Sequence, residues 1–174
     1  EGEVLYFNKP LRWTSFNLVA RVRTQLSRKI KVKKLKVGHA GTLDPLATGV
    51  MIICTGKATK RIEEFQYQTK EYIATICLGA TTPSYDLEKE IDATYPTEHM
   101  ECNLPEIKIR VVCSKGTYIR ALARDIGEAL QSGAHLTGLI RTRVGEVTLE
   151  HCLDPECFVE WLEQQSIDEE NKND

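Results

Sequence analysis

Residues 38–56, GHAGTLDPLATGVMIICTG, join a glycine-rich loop with a single acid to a continuous apolar stretch. The apolar part, residues 48–56, is bounded by glycines and predicts a buried strand. The acid is Asp44, and an Asp-Pro pair most often forms a turn in which the carboxylate accepts local backbone hydrogen bonds. The alternative is a nucleophile or general base on a loop whose glycines let a substrate approach the backbone closely. This stretch alone leaves both interpretations open.

Asp44 ends a long segment that is free of acids. Residues 4–62 contain 13 Lys or Arg and one acid, whereas residues 63–174 contain 10 Lys or Arg and 22 acids. The net charge of −2 therefore conceals a basic half and an acidic half. The most basic stretch, SRKIKVKKLK at residues 27–36, is compatible with a solvated loop. Because aromatic residues are interleaved in the same half, a surface that binds phosphate backbones fits better, and nucleic acid is the predicted partner.

The rest of the chain alternates between strand and helix patterns. Strands are predicted at residues 4–9, 48–56, 70–78 and 106–114, and helices at residues 15–26, 57–66, 116–130 and 154–165. We expect Ser15 to cap the first helix. We also expect turns at Gly138 and Gly145 to divide the strand-like alternating stretch of residues 132–149. Since strand–helix–strand units do not repeat strictly, the pattern favours an α+β fold: a largely antiparallel mixed sheet flanked by helices.

Length and composition predict one domain over residues 1–165 with a frayed acidic tail at 166–174. The six cysteines form no C-x-x-C pair and have no histidine at zinc spacing, so we expect no metal site and no disulfide framework. No leader and no run of 18 apolar residues are evident, which predicts a cytoplasmic protein without a membrane segment. We expect a monomer.

A single carboxylate in a basic setting narrows the chemistry. Glycoside hydrolysis normally uses a pair of carboxylates, and no second acid lies near Asp44 in sequence. Phosphoryl transfer would call for a Walker loop or a metal-binding acidic cluster, and zinc deamination for an H-x-E with a later cysteine pair. What remains is chemistry on a nucleobase or sugar in which one carboxylate attacks carbon.

Four ordered motifs carry a family resemblance. They are LYFNKPLRWTS (5–15), GHAGTLDPLATGVMIICTGKATK (38–60), KEYIATICLG (70–79) and CSKGTYIRALARDIGEAL (113–130). In that order they resemble the successive motifs of the TruB family of tRNA pseudouridine synthases. The resemblance covers nearly the whole chain, and its 23-residue second motif is very specific.

The resemblance implies a substrate and a reaction. The substrate would be uridine 55 in the T-arm stem-loop of tRNA, whose base is detached from C1′, rotated and rejoined through C5 without a cofactor. Asp44 matches the family nucleophile, although the sequence does not decide between attack at C1′ and at C6. Tyr72 matches the tyrosine that stacks on the flipped uracil, and Arg120 the arginine that pairs with the aspartate. From pattern alone, Tyr72 is more often an ordinary core tyrosine, because aromatic residues in strands usually pack. Arg120 could be a surface helix arginine, but its position beside the apolar stripe of the helix weakens that interpretation.

Further residues follow from the same match. Leu139 corresponds to an apolar wall of the uracil pocket, although a strand leucine is more often plain core, and Tyr118 is expected to support the site. His39, with Gly41 and Thr42 beside it, corresponds to the histidine that fills the space left by the extracted base. Phosphate contacts are expected from basic residues of the first half: Lys9, Arg21, Lys31, Lys33, Lys34 and Lys36.

The sequence departs from the family pattern in two places. Family members usually carry an RNA-gripping thumb segment before the strand that leads to CSKGTYIR, but here YPTEHM runs almost directly into ECNLPEIKIR. We expect a segment to be deleted or omitted near His99 to Glu101. We also expect the RNA-binding accessory domain that extends other family members after the C-terminal helix to be missing or reduced.

Two other functions compete with a tRNA pseudouridine synthase. One is a pseudouridine synthase for a different RNA, such as a guide-dependent enzyme within a ribonucleoprotein. The other is a catalytically idle tRNA-binding or folding module that keeps the basic surface. The second predicts damage to the catalytic set, yet Asp44, Tyr72 and Arg120 are all present.

Overall fold

The computed structural model describes residues 1–100 and 106–171. Its strands are β1 (Val4–Lys9), β2 (Val37–His39), β3 (Ala47–Thr55), β4 (Lys70–Leu78), β5 (Ala80–Thr81), β6 (Ala93–Thr94), β7 (Glu106–Cys113), β8 (Ala134–Val144) and β9 (Val147–Thr148). Its α-helices are α1 (Ser15–Ile30), α2 (Ile62–Gln66), α3 (Ile119–Ala129) and α4 (Phe158–Asn171). Short 3-10 helices precede α2 and α4. The strands and helices predicted from the sequence all have counterparts here.

One mixed sheet organises these elements. Its strand order is β1-β3-β8-β4-β7, with β2 added on β3 and β9 on β8. Strands β3 and β8 run parallel, whereas the other pairs in the sheet are antiparallel. The predicted α+β class with a largely antiparallel mixed sheet is confirmed.

The main core lies on the face of the sheet that packs against α1, α3 and α4. Leu18 and Val22 of α1 and Ile119 of α3 are buried in this layer. Helix α4 docks through Phe158, whose ring meets that of Phe7 edge-on with 5.1 Å between centroids. The N-terminal ends of α1 and α3 thereby come to lie over the central strands.

The opposite face has its own apolar layer. Every second residue of β3 contributes to it, including Val50 and Ile52, and Phe65 of α2 covers them. Strand β3 is therefore buried on both faces, which explains why its sequence is a continuous apolar run rather than an alternating one.

Several local predictions were wrong. Thr14, not Ser15, caps α1: its side chain accepts the Asn17 N–H while the Asn17 side chain accepts the Thr14 N–H. Strand β8 continues through Gly138 instead of turning there, and a register shift between Thr75 and Ile76 of β4 absorbs the irregularity.

The ends of two helices also differ from the pattern. Helix α3 begins at Ile119, so residues 116–118 of the predicted helix belong to the preceding loop. Helix α4 continues to Asn171, through the first part of the stretch that was predicted to be frayed.

Candidate active site

An ion pair joins the two motifs that the sequence placed far apart. Arg120, in the first turn of α3, forms an ion pair with Asp44, with 2.9 Å between Nε and Oδ2. The Asp44 and Arg120 side chains are 32% and 39% exposed, so the pair faces an open cleft instead of being sealed in the core. A second Arg120 nitrogen lies 3.4 Å from the Ser84 carbonyl oxygen, which ties the guanidinium to the loop after β5. The predicted partnership of Asp44 with Arg120 is thus present in the geometry.

The loop that carries Asp44, residues 40–46 between β2 and β3, is termed the nucleophile loop after the role that the sequence predicts for Asp44. The buried Ser15 hydroxyl holds it from the start of α1, because Ser15 Oγ donates to the Leu43 carbonyl and accepts the Leu43 N–H, each at 2.9 Å. This contact is what Ser15 does in place of the capping predicted for it. It fixes the backbone immediately before Asp44.

Lys9 supports the same loop from beneath. Its side chain is fully buried, and its ammonium donates to the carbonyl oxygens of Pro10, Trp13 and Pro45. Burial lowers the pKa of Lys9 to about 8, although the nearby Asp44 carboxylate opposes the shift. The predicted phosphate contact does not fit this position, since the ammonium is committed to backbone carbonyls inside the protein.

Arg141 is a functional candidate that sequence reasoning missed. Only 2% of this β8 residue is exposed, yet its guanidinium donates to the carbonyls of Val50 (2.8 Å), Gly41 (3.1 Å) and Thr42 (3.4 Å). It therefore fastens the nucleophile loop to β3 two residues before Asp44. The available signal was its spacing: Arg141 lies two residues after Leu139 and shares its face of the strand.

Close contact between β3 and β8 makes this arrangement possible. Gly49 has φ +116 and lies directly opposite Arg141, where a Cβ would overlap the Arg141 backbone carbonyl. A side chain at this position would push the two strands apart. The missing side chain of Gly49 therefore lets β3 and β8 approach closely enough for the Arg141 guanidinium to reach the nucleophile loop.

Tyr72 and Leu139 occupy the sheet surface below the cleft. Tyr72 of β4 is opposite Arg141, and Leu139 is opposite both Ala74 of β4 and Ala47 of β3. Because directly paired residues point to the same face, Tyr72, Leu139 and Arg141 line one surface. Tyr72 is 8% exposed and packs into the main core. It can therefore be an ordinary core tyrosine and still lie beside the cleft.

Two cavities open on either side of the nucleophile loop. The first, about 20 Å³, is lined by Asp44, Leu46, Ala47, Asp86, Leu87, Leu136, Thr137, Gly138 and Leu139. The second, about 350 Å³, is lined by Ala40, Gly41, Thr42, Gln66, Lys70, Tyr72, Ser114, Lys115, Gly116, Thr117, Tyr118 and Arg141. The structure thus places Asp44 with Leu139, and Tyr72 with Gly41, Thr42 and Tyr118.

The far wall of the larger cavity is the loop between β7 and α3, residues 114–118, termed the entry loop. All five of its residues are exposed, and Tyr118 is 72% exposed. Gly116 has φ +86, and a Cβ placed on it would meet nothing within 4 Å. Tyr118 therefore presents an aromatic ring to solvent at the edge of the cleft.

His39 lies at the end of β2, beside the nucleophile loop. Its Nδ1 accepts the Gly41 N–H at 3.3 Å. Burial, and then the positive charge of Arg141, lower the pKa of His39 below its usual 6.5. The imidazole is thus neutral at neutral pH and half-buried, a polar group without a charge at the rim of the site.

The predicted RNA-backbone residues outside the core face solvent. Arg21, Lys31, Lys33, Lys34 and Lys36 are all exposed. Arg21 lies on α1 with its guanidinium 5.3 Å from the centroid of the Trp13 ring. The four lysines follow α1 and lead directly into β2.

From the sequence we expect a segment to be deleted or omitted near His99 to Glu101, and Glu101 is outside the described residues. His99 is described, and its Nε2 lies 2.8 Å from the Leu130 carbonyl oxygen at the end of α3.

No helix within residues 1–100 and 106–171 combines the length and apolar character needed to cross a bilayer.

The fold and site together define a protein class. A carboxylate paired with a guanidinium lies beside a cavity on an α+β sheet. A chain of the archaeal box H/ACA sRNP Nop10-Cbf5 complex has the same fold (TM-score 0.70, 30% identity over 91% of this chain). A chain of an H/ACA RNP bound to a substrate RNA containing 2′-deoxyuridine matches with a TM-score of 0.71, 29% identity and 95% coverage. This chain spans 53% and 55% of those two chains, and the class is the pseudouridine synthases.

Comparison of sequences identifies the family. The model of the TruB family pseudouridylate synthase N-terminal domain matches residues 28–101, and that of the tRNA pseudouridylate synthase B C-terminal domain matches residues 120–172. A tRNA pseudouridine synthase B from Bacteroides fragilis is 62% identical, with 97% of each chain covered. Another from Flavobacterium johnsoniae is 42% identical over 94% of this chain and 97% of its own length. The chain belongs to the TruB family, which confirms the resemblance, and it is an RNA pseudouridine synthase.

Proposed function

We propose that this enzyme converts uridine 55 in the T arm of tRNA to pseudouridine, with Asp44 as the nucleophile. The observation that carries the proposal is the 2.9 Å ion pair between Arg120 and Asp44 on the cavity face of the sheet. The choice of tRNA is supported by relatives named tRNA pseudouridine synthase B that align along nearly their full length. Those relatives come from bacteria, and the proposed site of action is the bacterial cytoplasm.

The reaction needs no cofactor, because it rearranges bonds within one nucleotide. The Asp44 carboxylate attacks the nucleotide at C1′ or at C6, and the bond between C1′ and N1 breaks. The uracil turns within the pocket and a bond forms between C1′ and C5. N1 gains a proton, C5 loses one, and the carboxylate leaves unchanged.

Arg120 would keep Asp44 charged and oriented once the base covers the cleft. Closing the site removes water, which by itself favours the protonated carboxyl group. A guanidinium at 2.9 Å offsets this, and its second contact to Ser84 limits its rotation. A protonated Asp44 would not be nucleophilic, so the arginine is needed for the first step.

Tyr72 and Leu139 would bind the uracil itself. Both lie on the sheet surface, one beside each cavity that flanks the nucleophile loop. An apolar residue and an aromatic ring on a rigid sheet offer a flat surface on which a flipped base can stack. Gly41, Thr42 and Tyr118 line the larger cavity. Together with His39 they would replace contacts that the extracted uridine loses.

The basic surface would hold the stem. The exposed side chains of Arg21, Lys31, Lys33, Lys34 and Lys36 carry no sequence information, but each can neutralise a phosphate and place the loop over Asp44. We place the whole catalytic function in one domain, residues 1–165, with a monomer as the active unit. An additional RNA-gripping segment near residues 99–101 would add to this surface.

The test is release of tritium from C5-labelled uridine in an unmodified T-arm stem-loop. Wild-type protein should release tritium, and Asp44→Asn should release at least about 10⁴-fold less while its Kd for the stem-loop changes by less than about threefold. The amide keeps the size and the polar contacts of the carboxylate but removes its nucleophilic charge. A stem-loop with cytidine at the target position serves as the control.

The results separate the competing functions. Substantial turnover by Asp44→Asn would remove Asp44 from the role of nucleophile. Binding of the stem-loop without turnover by the wild type would favour the idle module. Activity that appears only with a guide RNA would favour the alternative represented by the H/ACA neighbours, to which this fold is also similar.

A further inference from the structure

A second aromatic ring lies at the rim of the larger cavity. Tyr67 directly follows α2 and is 62% exposed, and the ammonium of Lys115 from the entry loop lies 4.1 Å from its ring centroid. Gln66, the neighbour of Tyr67 in sequence, lines the cavity together with Lys115. The ring and the ammonium therefore stand next to each other where the cavity meets solvent.

Packing does not account for this pair. A ring that is mostly exposed contributes little to the core, and Lys115 has no carboxylate partner among the ion pairs of the described residues. The Lys115 contact covers one face of the Tyr67 ring, which leaves the other face accessible. Aromatic faces next to basic groups are how proteins bind unpaired nucleotides, with the base on the ring and the phosphate on the cation.

The local charge also favours an anion. Lys70 and Arg141 line the same cavity as Lys115. The nearest acid on β4, Glu71, is engaged by Arg110 at 3.0 Å and Arg143 at 3.9 Å, which leaves little of its charge to neutralise Lys115. A phosphate at the cavity mouth would meet the exposed ammonium of Lys115, with the buried positive charges of Lys70 and Arg141 behind it.

We propose that Tyr67 and Lys115 bind the nucleotide that adjoins the flipped uridine, with its base stacked on Tyr67 and its phosphate on Lys115. This inference rests on the proposed function, since it concerns the same RNA at the same cleft. Gly116 follows Lys115 in the entry loop and has open space around it, so Lys115 can shift toward a phosphate without strain elsewhere. The two residues act in substrate binding and not in the chemical steps.

The experiment measures the Kd and kcat of four variants with the T-arm stem-loop. Tyr67→Leu and Lys115→Gln should each raise the Kd by about 5- to 30-fold and leave kcat within about twofold. Tyr67→Phe keeps the ring and should bind like the wild type. Lys108→Gln is the matched control for charge, because Lys108 is an exposed lysine on β7, and it should have no effect.

Two further measurements identify the contacted groups. Lys115→Gln should reduce the slope of log Kd against log salt by about 0.7 to 0.9, the effect of one lost phosphate contact, whereas Tyr67→Leu should leave the slope unchanged. Stem-loops with an abasic site 5′ or 3′ of the target uridine locate the stacked base. With one of these two substrates, Tyr67→Leu and wild type should bind equally.

Normal binding by Tyr67→Leu would overturn the inference, as would a loss of the same size with the intact and both abasic stem-loops. Tritium release by the wild type distinguishes this failure from failure of the proposed function. A wild type that releases tritium while both variants bind normally overturns only the inference. A wild type that releases none overturns the proposed function, and the inference with it.

Discussion

The nucleophile loop and the entry loop form opposite walls of the same cleft but are held very differently. The nucleophile loop is fastened from three sides by buried groups: the Ser15 hydroxyl, the Lys9 ammonium and the Arg141 guanidinium. The entry loop is exposed at every residue, and its glycine has open space around it. One wall is rigid and the other is compliant.

The difference matches the demands of the reaction. A nucleophile gains rate when its position is fixed before the substrate arrives, since the entropy of alignment has already been lost on folding. A wall that must admit a base pulled out of a folded RNA needs room to move. Arg120 connects the two walls of the cleft. It lies in the first turn of α3, just after the entry loop, and it pairs with Asp44 on the rigid side.

Glycine substitutions should show the largest difference between the two walls, measured as the loss in free energy of unfolding. Gly49→Ala should cost about 4 kcal/mol or more in free energy of unfolding, because its methyl group would overlap the Arg141 backbone and part β3 from β8. Gly116→Ala should cost only about 1 kcal/mol, the backbone strain at positive φ with no steric contact. Urea denaturation measures both. Equal costs would contradict the contrast between the walls.

Replacing the buried arginine should damage stability and activity together. Arg141→Lys retains the charge but cannot reach three carbonyls with one ammonium, so we expect a loss of about 3 kcal/mol in free energy of unfolding. The kcat should also fall, because the loop before Asp44 is released. Unfolding curves and tritium release on the same samples give the two numbers; a variant as stable as the wild type would show that the loop holds without Arg141.

Replacing the exposed arginine should damage activity alone. Arg120→Lys should lower kcat about 100-fold, since an ammonium does not reproduce the orientation of the guanidinium toward Asp44. The free energy of unfolding should change by less than about 1 kcal/mol, because ion pairs that are about a third exposed contribute little to stability. A stability loss as large as that of Arg141→Lys would mean that both walls are structural.

The smallest expected effect concerns pH. The pKa of His39 is lowered in the folded protein, so between about pH 6.5 and this lower value the unfolded chain binds more protons and stability falls as the pH decreases. The contribution is complete above about pH 6.5, the ordinary pKa of an imidazole. His39→Gln should flatten this part of the profile in urea denaturation at pH 5.5 and 7.5. An unchanged slope would assign the dependence to other groups.

Much of the fold could be predicted because its signals are local. The apolar run of β3, the alternation of β4 and the stripe of α3 each follow from residues close together in sequence. The failures are also informative: Ser15 lies one residue from the cap it resembled, and Gly138 continues a strand because it is paired with Thr75 of β4. Local preference was overridden wherever a distant segment supplied better hydrogen bonds.

The sequence by itself determined the family, the basic half of the molecule and the positions of Asp44, Tyr72 and Arg120 within recognisable motifs. The tertiary structure alone decided that Lys9 faces inward, that Ser15 holds Leu43 and that Arg141 fastens the nucleophile loop. The Arg141 contact to Gly41 spans 100 residues of sequence. Periodicity indicates which face of a strand a side chain occupies, but what lies across from it depends on how strands pair, and β3 with β8 is a parallel pairing between distant segments.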